Sequence, residues 1–351
     1  YSIFLRKTRN TRKMQTLDIF QRVAYINPSQ VEIVNYVRKK PISMFNPGIV
    51  CFKDTITLFP RLVFDIYKYV SSIGCFSLSI EDILKGEIPD NISTNIILWP
   101  KELWNFRGCE DPRGHIINGK IVLLFTGAGY YYQDDGQLKA RDYLGYAEFD
   151  DDYNIIRKGY FKIVDTSGEV YIPRSNKDST IIRYFSSSAV MLTRPALLPP
   201  YFSLSPAPCT MCTGWRCNVD LENLEILAET LEPVLPLERW EIKAGWSTNA
   251  IKLSSNEYLV GWHALVREDL SYRNGLAMID KDGYLLGITD YILTPMGLVE
   301  EYGDRPLVIF GDGLFLDKDR LYWIGGVSDY TIGIFATELD MVEENMRYLS
   351  G

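Results

Sequence analysis

The tetrapeptide Glu110-Asp111-Pro112-Arg113 places a carboxylate and an arginine two positions apart. In an extended strand, residues two apart point to the same side, so Asp111 and Arg113 would share one surface. A carboxyl group positioned in this way could act as a general acid. Taken alone, the four residues fit a turn with a salt bridge better than a catalytic site. A role in chemistry therefore depends on what the rest of the chain brings beside them.

Short polar segments of this kind, which we call polar knots, recur along the chain. Their marker residues follow one another at intervals of 63 to 71 residues: Asn46, Asp111, Asp178, Asn249 and Asp312. A second series, on the strand predicted to follow each knot, has intervals of 65 to 69 residues: Arg61, Thr126, Arg194, His263 and Asp329. Two independent series with the same period indicate five copies of one structural unit.

The units are predicted to be β, because runs rich in Val, Ile, Tyr and Phe alternate with turn signals such as Asn118-Gly119 and Asp282-Gly283. Five units of this length predict an all-β, five-bladed β-propeller whose first strands converge on one pocket. A β-sandwich or two unrelated β domains are the alternatives. Residues 14–26 have helical apolar spacing. We therefore expect an N-terminal extension at 1–44 with a short helical segment, and a catalytic propeller at 45–351.

Composition narrows the classes of partner. The 351 residues carry a formal net charge of −8, which argues against a nucleic-acid partner. No apolar run reaches the length of a membrane span, and the first twenty residues lack a secretory signal. We therefore expect a soluble, cytoplasmic protein without a membrane partner, and leave open whether it forms a homo-oligomer.

Six cysteines are too few for a disulfide scaffold in a chain of this length. Cys209, Cys212 and Cys217 have a C-x2-C-x4-C spacing that is similar to a metal site. Three thiolates in a chain with only two histidines make an incomplete ligand set. We predict no metal and leave the role of these cysteines open.

Several weak motifs occur in a specific order between about Phe45 and Leu339. They are Phe45-Asn46-Pro47-Gly48, Arg61, Gly108 to Arg113, Asn176-Lys177-Asp178, Thr193-Arg194-Pro195, Trp262-His263-Ala264, Tyr272, Glu300 to Gly303, and Gly325 to Asp329. In this order and placement the sequence resembles glycoside hydrolase family 130, the β-mannoside phosphorylases and their relatives.

The resemblance implies roles for individual residues. Asp111 would be the general acid, acting through the 3-hydroxyl of the mannosyl ring. The implied substrate-binding residues are Asn46, Arg61, Arg113, Asp329 and Glu300. The implied phosphate-binding residues are Arg141, Arg157, Lys177, Arg194, His263 and Tyr272. No cofactor is implied, and inorganic phosphate would be the co-substrate.

Phosphate is the expected nucleophile because a phosphorylase needs only one carboxylate. An inverting hydrolase needs two carboxylates with a water between them, whereas phosphate is already an anion and needs cations to hold it. An acidic chain that keeps basic side chains at several knots favours a small anionic ligand. The sequence thus predicts an inverting β-mannoside phosphorylase that yields α-mannose 1-phosphate.

Three other functions stay open. They are a β-1,2-mannosyltransferase that uses nucleotide-linked mannose, an inverting β-mannosidase, and a non-catalytic sugar-binding propeller, although the intact Glu110-to-Arg113 motif argues against the last. The chain departs from the family pattern at Trp262-His263-Ala264, at Gly114-His115 and at Ser247-Thr248-Asn249. These departures concern the leaving-group side of the pocket, so the linkage and the aglycone stay open.

Overall fold

The computed structural model describes residues 11–197 and 213–349, and most of them lie in β-strands. The first part contains β1 (Gln21–Ile26), β2 (Val31–Ile33), β3 (Ser43–Phe52), β4 (Thr55–Val63), β5 (Ser71–Ser79), α1 (Ile80–Lys85) and β6 (Ile92–Leu98). Next come β7 (Gly108–Ile117), β8 (Lys120–Tyr132), β9 (Leu138–Phe149), β10 (Ile155–Tyr160), β11 (Lys162–Val164) and β12 (Val170–Tyr171).

The middle of the chain contains β13 (Asn176–Phe185), β14 (Ser188–Pro195), β15 (Gly214–Asp220), β16 (Glu225–Leu227) and β17 (Glu232–Leu235). The last part contains β18 (Glu241–Lys252), β19 (Glu257–Val266), β20 (Tyr272–Asp280), β21 (Leu285–Thr289), α2 (Leu298–Glu301), β22 (Ile309–Asp317), β23 (Arg320–Val327), β24 (Thr331–Glu338), α3 (Leu339–Glu344) and β25 (Met346–Tyr348). Single turns of 3-10 helix occur at Pro28–Gln30, Leu103–Asn105 and Ala228–Thr230.

Five antiparallel three-stranded units repeat along the chain, as the two residue series predict. They are β3-β4-β5, β7-β8-β9, β13-β14-β15, β18-β19-β20 and β22-β23-β24. The predicted turns connect their strands: Asn118-Gly119 joins β7 to β8, and both residues have positive φ, as a tight hairpin turn requires. A short helix, α1, follows β5 at Ile80–Lys85.

Each polar knot interrupts the pairing of the first strand of its unit with the second. The register shifts fall between Phe45 and Gly48, Glu110 and Arg113, Lys177 and Thr180, Trp246 and Ala250, and Gly311 and Gly313. A bulge of this kind bends the strand and turns a side chain away from the regular alternation. The knots therefore redirect polar side chains at the same level of all five first strands.

The units pack against one another in a cyclic order. Five clusters of buried apolar side chains each join two neighbouring units, with pairs that include Phe59 and Phe125, Leu144 and Trp215, Leu192 and Trp246, Leu276 and Trp323, and Phe315 and Ile49. The first strands follow the same order, since β3 contacts β7, β7 contacts β13, β13 contacts β18, β18 contacts β22, and β22 contacts β3. Each unit thus buries both faces of its sheet against its neighbours.

The N-terminal segment differs from the prediction. Residues 14–26 were expected to be helical, but residues 21–26 form β1, which pairs antiparallel with β24. The unpaired backbone groups at the edge of β24 are satisfied by this added strand. The extended backbone also delivers Phe20 and Ile26 to two different apolar clusters. Tertiary pairing therefore overrides the local helical spacing.

A buried ion pair fastens the beginning of the described chain to the fourth unit. The guanidinium of Arg12 pairs with the carboxylate of Glu241, and both side chains are fully buried. Arg12 also donates to the carbonyl of Pro236 at 2.7 Å and lies 4.5 Å from the centroid of the Trp262 ring. Each of these two buried charges thus has an oppositely charged partner beside it.

Among residues 11–197 and 213–349, no helix is long and apolar enough to cross a membrane. Of the three clustered cysteines, Cys217 is buried and its thiol lies 3.7 Å from the carbonyl oxygen of Met191. Cys209 and Cys212 lie outside the described residues.

We predict that Arg12→Ala lowers the free energy of unfolding by about 3 to 5 kcal/mol, because the Glu241 carboxylate would be left buried without its partner. Urea unfolding measures this loss. Lys85 pairs with Glu81 on the exposed face of α1, so Lys85→Ala is the control and should leave the free energy of unfolding unchanged within error. Equal losses in the two variants would contradict the role given to the buried pair.

Candidate active site

A polar cavity of about 170 Å³ lies where the knots of the first strands meet. Its lining comes from all five units and the segments beside them: Asn46, Arg61, Glu110, Asp111, Lys177, Asp178, Arg194, Lys243, Tyr272, Arg305, Val308, Phe310 and Asp329. Nine of these residues are charged. Residues that are far apart in sequence thus form one charged pocket, as the recurrence of the knots predicts.

Asp111 owes its position to the bulge in β7. Its φ is +48°, and Asn46 and Asp178, at the equivalent place in β3 and β13, have φ values of +46° and +54°. Apart from glycine, Asn and Asp are the residues that best tolerate this left-handed conformation. The residue type at these knots therefore follows from the backbone, and the backbone turns each side chain toward the cavity.

Two neighbours hold the Asp111 carboxylate. The Asn46 amide nitrogen donates to Asp111 Oδ1 at 2.9 Å, and Arg61 Nη1 donates to the same oxygen at 3.1 Å. Arg61 also pairs with Glu110 at 3.0 Å and lies over the ring of Phe45. The first and second units are thereby joined at the carboxylate.

The pKa of Asp111 results from opposing effects. Burial raises it, but the positive charge of Arg61 and the amide hydrogen bond from Asn46, together with Arg113 and Lys177, outweigh burial and hold the pKa below its usual value. A general acid needs a proton near neutral pH. Asp111 therefore needs a further negative charge nearby before it can hold a proton well.

Asn46 is held against the backbone of the fifth unit. A Cβ atom at Gly326 would lie only 1.9 Å from the side-chain oxygen of Asn46. Only glycine at position 326 leaves room for the amide in this orientation. The glycine of β23 thus fixes a side chain that in turn fixes Asp111.

Arg113 lies behind the cavity and is not one of the residues that line it. It is 2% exposed and donates to the carbonyls of Ser247 at 2.7 Å and Asp111 at 2.8 Å. It also pairs with Asp312 at 3.0 Å. Arg113 was expected to bind substrate, but it is a buried link between units, because each of its three guanidinium nitrogens contacts a group of the protein.

Three of the residues expected to bind phosphate do line the cavity. Lys177 pairs with Asp142 at 3.2 Å and with Glu110 at 3.7 Å. The guanidinium of Arg194 donates to Asp178 at 2.5 Å. Tyr272 is 4% exposed, and its ring packs on Phe310.

His263 does not supply a positive charge there. It is fully buried behind the cavity, with Nδ1 3.0 Å from the hydroxyl of Ser247 and Nε2 3.6 Å from Asp178. Burial, helped by nearby Lys243 and Arg194, holds the pKa of His263 well below its usual value although Asp178 opposes this. The ring is neutral at neutral pH, so the expected phosphate contact as a cation is not supported.

Arg157 and Arg141 are also away from the cavity lining. Arg157 donates to the carbonyls of Leu221 and Glu222, in a surface cleft formed by β9, β10 and the β13–β14 turn. The guanidinium of Arg141 stacks 3.7 Å from the centroid of the Tyr131 ring. Neither guanidinium joins the cations around Asp111, because each is held by its own neighbours.

Glu300 was expected to bind substrate, but it is a buried structural residue. It is fully buried and pairs with Arg22 at 2.9 Å. It also accepts hydrogen bonds from the Tyr25 hydroxyl at 2.7 Å and the Met296 amide at 2.7 Å. The carboxylate holds β1 in place.

Sequence reasoning missed several lining residues, above all Lys243 and Arg305. Lys243 lies on β18 and Arg305 precedes β22, and neither is part of a knot. Their only sequence signal is that each is a basic residue a few positions before a first-strand knot. Within the described ranges, no three His, Cys, Asp or Glu side chains are grouped as metal ligands.

Comparisons with known proteins agree on one family and fold. The profile of glycoside hydrolase family 130, described as β-1,4-mannooligosaccharide phosphorylase, matches residues 10–347. No curated protein matches significantly in sequence. The chain is similar in structure to β-1,2-mannobiose phosphorylase from Listeria innocua in complex with β-1,2-mannobiose, with a TM-score of 0.65 at 17% identity over 91% of this chain and 96% of that chain.

A second similar structure is a mannose phosphorylase from Leishmania mexicana in complex with a phosphate ion, with a TM-score of 0.55 at 14% identity over 95% of this chain and 92% of that chain. A third is described under the family of mannoside phosphorylases that contains hydrolases targeting β-1,2 mannosidic linkages in Candida mannan. Its TM-score is 0.58 at 11% identity over 90% of this chain and 94% of that chain. At these identities the likeness establishes the fold.

Asp329 generates a prediction about stability and pH. Burial raises its pKa to about 6, with the charge of Asp111 adding to the shift and Arg61 opposing it. Because the pKa of Asp329 is higher in the folded than in the unfolded protein, the folded state is most stable below the ordinary aspartate pKa of about 4. This stabilisation is lost as pH rises through 6. Relative to the parent, Asp329→Asn should therefore gain roughly 2 to 3 kcal/mol of unfolding free energy between pH 4 and pH 7.

Urea unfolding of both proteins at several pH values measures this difference. Asp340 is an exposed aspartate on α3, so Asp340→Asn is the control and should follow the parent throughout. A difference between Asp329→Asn and the parent that does not change with pH would contradict the electrostatic reading of the cavity.

Proposed function

This chain belongs to glycoside hydrolase family 130, and on that premise we propose that it is an inverting β-mannoside phosphorylase. It cleaves a β-mannosidic bond with inorganic phosphate and releases α-mannose 1-phosphate. The observation that carries the proposal is one carboxylate, Asp111, held by Asn46 and Arg61 in a cavity that also contains Lys177 and Arg194. An acid that lies beside several cations suits phosphate as the second reactant.

The proposal extends to the architecture, with the five units as the blades of a β-propeller. Cyclic packing of the apolar clusters supports this, as does a second cavity of about 410 Å³ that residues of all five first strands line. A radial arrangement leaves few sheet edges exposed. The reaction cavity then lies at the end of the central channel where the knots meet.

Asn46, Arg61 and Asp329 are proposed to hold the mannosyl ring. Their amide, guanidinium and carboxylate groups lie around Asp111 and offer both donors and acceptors to hydroxyl groups. A phosphate oxygen attacks the anomeric carbon while the bond to the leaving oxygen breaks. The proton for that oxygen comes from Asp111 through the 3-hydroxyl of the ring, and the aspartate regains a proton from solvent.

Bound phosphate also accounts for how Asp111 holds a proton, because it raises the pKa of this carboxyl group. The positive charges of Arg61 and Lys177 lower the pKa of Asp111. A phosphate dianion beside them offsets these charges, so the pKa of Asp111 rises toward the value that burial favours. Binding of phosphate thereby favours the protonated form of Asp111. Without phosphate, Asp111 is ionised and is a poor general acid.

The other functions fit less well. A hydrolase needs a second carboxylate free to act as base. Glu110 pairs with Arg61 and Lys177, Asp178 pairs with Arg194, and Asp329 is assigned here to the mannosyl ring. A transferase that uses nucleotide-linked mannose stays the alternative, and its donor requirement distinguishes it from a phosphorylase. We propose a cytoplasmic enzyme without an organic cofactor, and the aglycone stays open.

The direct test is the phosphate dependence of cleavage of β-1,2- and β-1,4-mannosides. The parent should cleave one of them only with phosphate, and Asp111→Asn should lower turnover by about 10² to 10⁴-fold, because the transferable proton is lost. The unfolding temperature of the variant checks that the fold persists. Full activity without phosphate, with release of free mannose, would refute the phosphorylase, and a variant within a few-fold of the parent would clear Asp111 of its role.

A second test concerns metal ions. The proposed acid and anion site consist of side chains alone, so prolonged treatment with a chelator should leave the rate of mannoside cleavage unchanged. Loss of activity that an added divalent ion restores would show that the proposed site is incomplete. Attention would then move to Cys209, Cys212 and Cys217.

A further inference from the structure

A surface groove between the first and second units has no part in the proposed reaction. It consists of two clefts, of about 770 Å³ and about 560 Å³, which meet at the three residues that line both, Asn35, Ile96 and Trp99. The lining of the groove shares no residue with that of the cavity around Asp111. Clefts of roughly 300 to 1,000 Å³ hold small organic ligands in other proteins. The groove is therefore large enough for a ligand of its own.

The groove follows β5 along the outside of the first unit. Ser71 and Ser72 line the smaller cleft and Ser77 lines the larger one, and the extended chain from 71 to 77 spans about 20 Å. The β9–β10 turn of the second unit forms the opposite wall, at 152–155. At one end, Ser71 pairs with Gly108, the first residue of the strand that carries Asp111. A ligand in the groove is thus elongated and extends away from the cavity.

Trp99 gives the groove an exposed aromatic face. All seven tryptophans lie in the described ranges, and Trp99 alone is exposed, at 48%. Tyr36 lines the smaller cleft and is also exposed, and its ring is held by that of Phe64 at 5.0 Å between centroids. Aromatic rings left in water bury a large apolar area when a ligand covers them. An exposed ring that lines a cleft suits the flat C–H face of a pyranose.

Two buried hydroxyl groups in the smaller cleft have no partner in the protein. Ser71 is 0% exposed and Ser72 is 7% exposed, and both line the cleft. Neither hydroxyl oxygen has a hydrogen bond to any residue of 11–197 or 213–349. A buried hydroxyl without a partner costs the folded protein free energy. A ligand that brings its own hydroxyl groups into the cleft would satisfy both serines.

The charges along the groove balance. The cations that line it are Arg38, Lys101 and Lys158, and the carboxylates are Asp65, Glu102 and Asp152. Lys158 pairs with Glu102 at 2.6 Å, and the guanidinium of Arg38 donates to the carbonyl of Phe64. A lining with equal numbers of both charges attracts neither anions nor cations over a distance. The ligand that fits it is neutral and rich in hydroxyl groups.

The wall beside Trp99 is fixed before any ligand binds. The side chain of Asn35 donates to the carbonyl of Ile96 at 2.8 Å and accepts from the amide of Ile96 at 2.9 Å. These two bonds continue the parallel pairing of β2 with β6, which ends at Ile33 and Thr94. A preformed wall reduces the entropy that a ligand loses by ordering its site.

We propose that this groove is a second carbohydrate-binding site, which holds a neutral oligosaccharide by stacking on Trp99 and by hydrogen bonds to Ser71 and Ser72. The oligosaccharide is a β-manno-oligosaccharide, and this identity rests on the proposed function. A chain held there stays close to the cavity, so its effective concentration at Asp111 rises. The groove therefore favours long mannosides over a disaccharide as substrates.

Trp99 itself reports whether a sugar enters the groove. In protein labelled with 5-fluorotryptophan, the 19F resonance that Trp99→Phe removes belongs to Trp99. We expect this resonance to shift saturably when β-1,2- or β-1,4-mannotetraose is added to the Asp111→Asn protein, in which turnover is low. Phe185 is 62% exposed at the β13–β14 turn, away from the groove. Adding Phe185→Ala is the control and should leave the titration unchanged.

Ser72→Ala tests the hydroxyl contact. The affinity in the Trp99 titration should fall about 3 to 10-fold, because a hydrogen bond to the sugar is lost. The unfolding temperature should stay at or above that of the parent, because no partner in the protein is lost. A structural hydroxyl would instead lower the unfolding temperature and leave the affinity unchanged. Trp99→Ala should raise the KM for the tetraose about 10-fold relative to the KM for the disaccharide.

The outcomes separate this inference from the function on which it rests. If mannosides are cleaved with phosphate but neither tetraose shifts the Trp99 resonance, the groove is not a sugar site although the enzyme is a phosphorylase. If the resonance shifts but no mannoside is cleaved with phosphate, the groove binds the sugar and the proposed function fails. If the resonance instead moves with protein concentration as the chain associates, a second copy covers the groove and the inference is overturned.

Discussion

The guanidinium of Arg113 connects four of the five units at the centre of the protein. It donates to carbonyls of Trp246 and Ser247 in the fourth unit and of Asp111 in its own, the second. It pairs with Asp312 of the fifth unit at 3.0 Å and lies 3.8 Å from Asp178 of the third. A buried cation needs this many partners to offset the loss of its hydration. The need to satisfy one charge thus connects the first strands of the second, third, fourth and fifth units.

The cavity follows from this arrangement because each first strand has a bulge where it passes the centre. The left-handed backbone at Asn46, Asp111 and Asp178 turns polar side chains toward the cavity. The apolar clusters between the units then hold these strained turns in place. Asp111 is positioned by Asn46 and Arg61 of a different unit, so the chemistry depends on contacts between units that no single unit contains.

Much of this could be predicted from the sequence, because a repeated unit leaves a periodic signal. The spacing of Asn46, Asp111 and Asp178 gave the units and their knots, and the convergence of those knots gave the position of the cavity. Residues 14–26 were predicted wrongly because pairing with β24, more than 300 residues away in sequence, decides their conformation. The spacing of apolar residues within 14–26 carries no information about the edge of a strand so far away in sequence.

The site was predicted less completely, because direction and partners of a side chain are set by tertiary structure. In the sequence, Glu300 and Arg157 look like binding residues, but Glu300 pairs with Arg22 and Arg157 donates to the carbonyl of Leu221. His263 was expected to bind phosphate, but it lies buried 3.6 Å from Asp178, and burial removes its charge. Lys243 and Arg305 were missed because they belong to no motif that the sequence analysis recognised. Only the fold brings them close to Tyr272.

The central claim is that phosphate itself attacks the anomeric carbon in the cavity beside Asp111. The most direct measurement is cleavage of a β-mannoside in the presence of phosphate labelled with 18O at all four oxygens, followed by NMR of the products. The account predicts α-mannose 1-phosphate in which the oxygen that bridges C1 and phosphorus is 18O. Free mannose without label, or a β-configured product, would contradict it.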